Sequence, residues 1–253
     1  MRRADVLEPE SLRPALEGVE VAYYLVHSMG RGSDGDFAER DRRGAENFAA
    51  VAAAAKTKRI VYLGGLGEGS KHLDSRHATA ETLRSSEVPV TYFRAAAVLG
   101  AGSESFRTAF YLVRRLPAMV TPRWVATRTQ PIAVGDAIAY LAAAADLNLP
   151  VDREIEIGGP SVTSYGGMID ELARALGRRP PLRVTVPLLT PSLSSLWIGL
   201  VTPVDAGVAK PLIEGLATET VVSDPSGMEM FEGIERIQLR EALRTAVEDS
   251  NVL

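Results

Sequence analysis

The sequence predicts an α/β protein built on a parallel sheet, and three observations carry that prediction. Residues 60–63 (Ile60, Val61, Tyr62, Leu63) form a short apolar run stopped by Gly64 and Gly65. Such a run, rich in β-branched and aromatic residues with turn residues behind it, reads as a buried strand. Residues 88–93 repeat the pattern and end at Arg94, with small residues following. Between the two runs Ala78, Thr82 and Leu83 recur at helical spacing. Strand, helix and strand within about forty residues make the βαβ unit of a parallel sheet. Ligands of open parallel sheets bind beyond the carboxyl ends of the strands. The loops after Leu63 and Arg94 open on that edge, so chemistry is expected there.

Composition narrows the class. The chain has 253 residues, enough for one large α/β domain or one with a small appendage. A hydrophobic fraction of 46% supplies a full core, and 24% charged residues is ordinary for a soluble protein. A net charge of −4 and a pI near 5.6 argue against nucleic acid as the main partner. No block of basic residues stands in the sequence. The absence of cysteine excludes disulfides and thiolate zinc sites and fits a reducing cytoplasm. His27, His72 and His77 have no companions at metal-ligand spacing, so no metal site is expected. Arg2 and Arg3 precede no apolar run, so the start is not a secretory signal. The longest apolar stretch, residues 193–204, is interrupted by serines, Gly199, Thr202 and Pro203, and is too short to span a bilayer.

In chain order, residues 5–12 open a short helix, with Ser11 as its expected cap and Leu12, Ala15 and Leu16 on one face. Gly18 ends it. Residues 19–26, rich in Val and Tyr, are a strand, and residues 27–35 a loop. Residues 36–55 form a helix with an apolar stripe of Phe37, Ala45, Phe48, Ala49 and Ala52, and with Asp41, Arg42 and Arg43 on its wet side. The strand at Ile60 follows, so helix and strand alternate strictly. Beyond Gly100 the pattern loosens. A helix is expected over residues 106–116, irregular chain over 121–125 and a short extended piece at 130–134. An alanine-rich helix over 134–145 and a strand at 154–157 come next. Thr163 or Ser164 caps a helix running to Gly177, residues 182–186 make a last strand, and residues 239–248 a closing helix.

Taken together, YLVHSM, RIVYLGGLG, HLDSR, VPVTYFRAAAVLGAGS, TPRWVATRTQPIAVGD and EIGGP resemble atypical short-chain dehydrogenase/reductases of the extended, NmrA-like kind, from about Asp5 to Val222. The resemblance implies a Rossmann-like, doubly wound parallel sheet over residues 1–158 and a smaller substrate-binding or interaction region over 159–253. It also implies NAD or NADP as cofactor, a small-molecule substrate of hydrophobic carbonyl type, and oxidoreductase activity. That family opens with a strand and a G-x-x-G-x-x-G turn whose helix amino terminus meets the pyrophosphate. No such motif precedes Asp5, so a weak or incomplete dinucleotide site is expected of this chain. The family's Tyr-x-x-x-Lys pair falls on His72 and Arg76. Histidine serves as an acid near neutral pH, and arginine holds charge beside a ribose. The serine that polarises the carbonyl in the family falls near residues 64–67, which offer no hydroxyl. The degenerate triad leaves open a non-catalytic protein that binds dinucleotide as a redox sensor or scaffold.

The resemblance and the strand ends together nominate a site. His72 and Arg76 are the candidate catalytic pair. Asp5, Val6, His27, Ser28, Met29, Gly64, Gly65, Arg94 and Ala95 are the candidate cofactor contacts. Asp5 matches the family's acidic residue at the adenine edge, or serves as a simple turn residue. The glycines from Gly64 to Gly69 read either as a phosphate loop or as a substrate-edge loop. The second is preferred, because residues 70–74 are expected to separate the glycines from the helix. Arg94 suits a ribose or phosphate, or a surface ion pair. His77 is expected to be exposed, and Trp124 and Trp197 to serve core or interface. Residues 193–216 suit substrate-domain packing or a homodimer face, with peripheral membrane contact as the alternative.

Overall fold

A computed structural model describes residues 2–27, 37–186, 215 and 217–250. Helix α1 (Pro9–Leu16) leads into β1 (Val21–Tyr24), α2 (Phe37–Ala54), β2 (Arg59–Gly65), α3 (Lys71–Arg84) and β3 (Val90–Ala95). With β8 (Glu154–Ile157) the strands form a four-stranded sheet in the order β1-β2-β3-β8, and every pair is parallel. The βαβ unit expected from the strands at Ile60 and Val90 therefore holds. The runs of Val, Ile, Tyr and Phe in β2 and β3 are buried on both faces, as inner strands of a parallel sheet require, whereas edge strand β1 leaves Tyr23 exposed.

Helices cover the two faces separately. On one, Leu12 and Leu16 of α1, Phe48 and Ala52 of α2, and Ala80 and Leu83 of α3 pack on Ile60, Tyr62, Val90 and Tyr92. On the other, Val61, Phe93 and Ile155 pack against Ala137, Tyr140 and Leu141 of α5 (Val134–Ala143). Phe231, just past the short helix α7 (Ser226–Glu229), closes that side. This is the doubly wound α/β architecture expected.

A third core cluster lies apart from the main sheet. It joins α4 (Glu104–Arg115), α6 (Tyr165–Ala175) and α8 (Leu239–Ser250) through Phe106, Phe110, Met168, Leu172, Leu243 and Val247. The cluster thus draws on residues from both sides of position 158. Small strand pairs border it. β5 (Ala118–Thr121) runs parallel to β10 (Leu182–Thr185), and β4 (Val98–Leu99) to β7 (Ile132–Ala133). β6 (Arg128–Thr129) runs antiparallel to β9 (Thr163–Ser164).

Several local expectations are corrected. Helix α1 starts before Ser11, at Pro9, whose fixed φ suits a first helical position. The Ser11 hydroxyl instead accepts from the Asp5 N–H at 2.8 Å and donates to the Glu8 carbonyl at 2.8 Å. Asp41 is buried, because it shares the stripe of Ala45, Phe48 and Ala52 at i+4, i+7 and i+11. Ala78 is exposed, and α3 turns Leu73, Thr79, Ala80 and Leu83 inward. Part of residues 121–125 is regular, since Thr121 ends β5 and Arg123–Ala126 is a 3-10 turn. Residues 182–185 are a strand, yet they pair with β5 and not with the main sheet. Ser28, Met29, Trp197 and residues 193–204 lie outside the described residues.

Candidate functional site

The carboxyl edge of the sheet is shaped first by close packing at two glycines. A Cβ on Gly64 would stand 2.6 Å from the Tyr92 ring, and one on Gly65 would collide with the Leu73 side chain of α3. β2 can pass this close to ring and helix only without side chains there. The turn beyond uses two left-handed glycines, Gly67 (φ +101°) and Gly69 (φ +80°). Ser70 then caps α3, its hydroxyl accepting from the Leu73 N–H at 3.2 Å. The helix thus begins at Lys71, directly behind the glycines. The spacer expected over residues 70–74 is absent, because Ser70 acts as the cap and residues 71–74 are already the first helical turn.

His77 and Arg94 tie this turn down. Gly67 O can only accept, so the His77 Nε2 that lies 3.0 Å from it carries the proton. His77 Nδ1 is then the acceptor for the Tyr92 hydroxyl, 3.0 Å away. Arg94 adds a second donor to Gly67 O at 3.1 Å and bonds Glu154 at 2.6 Å. His77 is therefore not the exposed residue expected, since both of its ring nitrogens are engaged. Arg94 is committed to the turn and to β8, and Ala95, buried beside it, accepts from the Leu66 N–H at 2.8 Å.

His72 and Arg76 lie one turn apart on the same face of α3. Burial, then the positive charges of Arg76 and His27, push the His72 imidazole down to about 4. His27, just past β1, belongs to this neighbourhood for that reason. At neutral pH His72 is uncharged, so its surroundings remove the imidazolium that a near-neutral acid requires. Arg76 lies over the Tyr62 ring, its guanidinium carbon 5.8 Å from the centroid. Its Nε is buried and has no hydrogen-bond partner among the described residues. An unsatisfied buried donor is rare, and this one stands beside His72 at the edge where a ligand is expected.

The remaining candidates lie in another neighbourhood. The Asp5 carboxylate accepts from the Leu7 N–H at 2.9 Å, a local turn ahead of α1. The Val6 carbonyl accepts from the Asn47 side chain of α2 at 2.9 Å.

Sequence reasoning missed the aromatic ladder that joins these parts. Tyr24, Tyr62 and Tyr92 stand in register on three adjacent strands, with centroid separations of 6.0 Å and 5.2 Å. Burial raises all three hydroxyls above their ordinary range, so they remain protonated. The Tyr62 hydroxyl donates to the Arg76 carbonyl at 3.3 Å. A tyrosine at the same depth of each strand was the available signal. Beside Arg94, an open cleft of about 290 Å³ is lined by Leu66, Gly67, Glu68, Glu156, Thr218 and Glu219.

No protein-family model matches the sequence, and no curated protein matches it. Solved structures do match. Triphenylmethane reductase of Citrobacter sp. superposes with a TM-score of 0.74 at 16% identity, over 98% of this chain and 83% of that one. An NADPH-dependent quinone oxidoreductase of Escherichia coli, solved with NADPH, gives 0.73 at 17% identity, over 96% and 81%. The Bordetella bronchiseptica enzyme WbmG, solved in complex with NAD, gives 0.70 at 15% identity, over 98% and 78%. The chain has the Rossmann-like fold of these reductases and their relatives, in agreement with the resemblance read from its sequence.

Proposed function

We propose that this chain is an NAD(P)H-binding oxidoreductase of the atypical short-chain dehydrogenase/reductase type, acting on a small hydrophobic carbonyl-type substrate through a degenerate site. The observation that carries the proposal is the unpartnered, buried Arg76 Nε beside His72 and His27 at the carboxyl edge of the sheet. Its donor fits a ribose hydroxyl or a substrate oxygen, the groups a dinucleotide and a carbonyl compound bring to this edge. A reduced nicotinamide, when bound, supplies hydride. Arg76 holds the oxygen and its charge. Neutral His72 orients a polar group through one N–H and one lone pair. The His77–Gly67–Arg94 bonds fix the turn from which α3 carries both residues inward.

A second reading, dinucleotide binding without turnover, is favoured by the low His72 value, because a proton donor is then lacking at pH 7. Calorimetric titration with NADPH and NADH decides the shared claim, and saturable heat is expected with at least one. No binding of either would sink both readings. Oxidation of NADPH in the presence of a quinone or a triphenylmethane dye then separates them, since binding without turnover selects the sensor.

A further inference from the structure

The strand pair β5–β10 turns one face to the core and the other to water. Met119 and Thr121 point inward and are buried, whereas Val120, Leu182 and Val184 are 52%, 75% and 63% exposed. The register sets Leu182 beside Ala118 and Val184 beside Val120, so these four make one continuous apolar face. Exposed apolar faces of this kind mark interaction sites.

Exposed arginines stand at both ends of the strand pair, those of α4 lying over the Phe110 and Tyr111 rings. Arg114 and Arg115 end α4 just ahead of β5, and Arg178 and Arg179 stand just ahead of β10. Arg178 donates to the Val113 carbonyl at 3.0 Å and to the Arg114 carbonyl at 2.5 Å, which holds the two arginine pairs together at one end. Arg123, exposed, follows the other end of β5. Residues 112–130 and 174–186 contain no aspartate or glutamate, although the whole chain carries a net charge of −4. The sequence that continues from β10, residues 187–204, contains no charged residue at all. No basic block is visible in the sequence, because the arginines come two at a time from segments that only the β5–β10 pairing joins.

We propose that this face docks on the surface of an anionic phospholipid bilayer. The apolar strand face enters the acyl boundary and the arginines meet the headgroup phosphates. Charge selects lipid over a second copy of the chain. A two-fold contact sets the same patch against itself, and here that would oppose one set of arginines to another.

The test is cosedimentation of the full chain with vesicles of phosphatidylglycerol and phosphatidylcholine, against vesicles of phosphatidylcholine alone. Binding to the anionic vesicles alone is expected, and it should fall steeply with added salt. Arg179→Gln should weaken it about fivefold, and Leu182→Asp should abolish it. Melting temperatures should be unchanged, since both side chains are exposed. Should Leu182→Asp fail to fold, the arginine variant and the salt series still decide. No binding to anionic vesicles at low salt overturns the proposal, as does binding indifferent to both variants. Dimerisation in sedimentation equilibrium that Leu182→Asp removes, without vesicle binding, reassigns the face to self-association.

Discussion

Two arginines at opposite edges of the same sheet show how its ends differ. Arg59, at the amino end of β2, is only 2% exposed and uses its whole guanidinium. Nε and Nη2 bond the Asp152 carboxylate at 2.5 Å and 3.2 Å. Nη1 donates to the carbonyls of Ala144 and Asp146, and Nη2 to that of Leu149, each at 2.8 Å. Five N–H groups find five acceptors. Arg76, at the carboxyl edge, keeps a buried Nε without a partner. One edge is closed on itself and fastens the chain between α5 and β8. The other retains unused donor capacity next to a histidine held neutral. Fold stability is invested at the first edge and left incomplete at the second, where open parallel sheets bind their ligands.

The strongest test of that contrast is Arg59→Leu. It removes a donor from three carbonyls, of which those of Asp146 and Leu149 keep a backbone N–H, and it leaves Asp152 without its counter-charge. Breaking a buried pair from one side costs several kcal/mol. Asp152 keeps contact with water at 36% exposure, so about 3 kcal/mol is expected, the low end of that range. Urea denaturation measures the loss. NADPH affinity per folded molecule should not change, and a change would mean that the two edges are coupled.

His72 supplies the next effect, and its sign follows from proton counting. The folded protein holds the imidazole near 4, whereas an unfolded chain titrates at the ordinary 6.5. Between those values the unfolded state binds the extra proton, so stability falls as pH drops from about 7 towards 4. The contribution is fully present above the unfolded value, and the loss reaches at most about 3 kcal/mol. His72→Leu should flatten this part of the stability profile relative to the parent chain. An unchanged acid slope would show that His72 is solvated and that the carboxyl edge is more open than its burial indicates.

How much of this was legible in the sequence depends on where the burial is. β2 and β3 stood out because Ile60 to Leu63 and Val90 to Phe93 are buried on both faces, which leaves unbroken apolar runs. The inward face of α3 did not stand out. Ser75, Arg76, His77 and Thr79 take positions that a core helix would fill with leucine, so the apolar residues of α3 mark the helix without marking its buried face. Hydrophobic periodicity failed where the helix passes the candidate site, as it does where polar residues serve something other than packing. Asp41 was misplaced for the opposite reason, a charge seated in an apolar stripe. The Arg59 clamp left no local sign, because its acceptors lie at residues 144–152, distant in sequence. Likewise, His72 and Arg76 were found by their resemblance to a motif, whereas the role of His77 required the fold.

The smallest effect on stability should come from Arg76→Met, and it separates the two edges most finely. The substitution keeps the unbranched stem that lies over Tyr62 and deletes a group whose Nε satisfies nothing in the described structure. Removing it therefore leaves no acceptor stranded on account of that nitrogen. The cost should stay at about 1 kcal/mol, the loss of the guanidinium's contacts with the Tyr62 ring and hydroxyl. Two other readouts should move. Loss of the Arg76 charge removes one of the two cationic causes of the low His72 value, so the imidazole should titrate higher in an NMR pH series. It should still lie below its ordinary value, because burial is the larger cause and remains. If Arg76 holds a ligand oxygen, NADPH affinity should also fall by about tenfold, as expected when a charged donor is lost from a ligand. A His72 titration that shifts while NADPH affinity stays constant would keep the electrostatic geometry and remove Arg76 from the binding site. A large stability loss would mean that its unused donor is met by water in solution, and the contrast with Arg59 would then be one of degree.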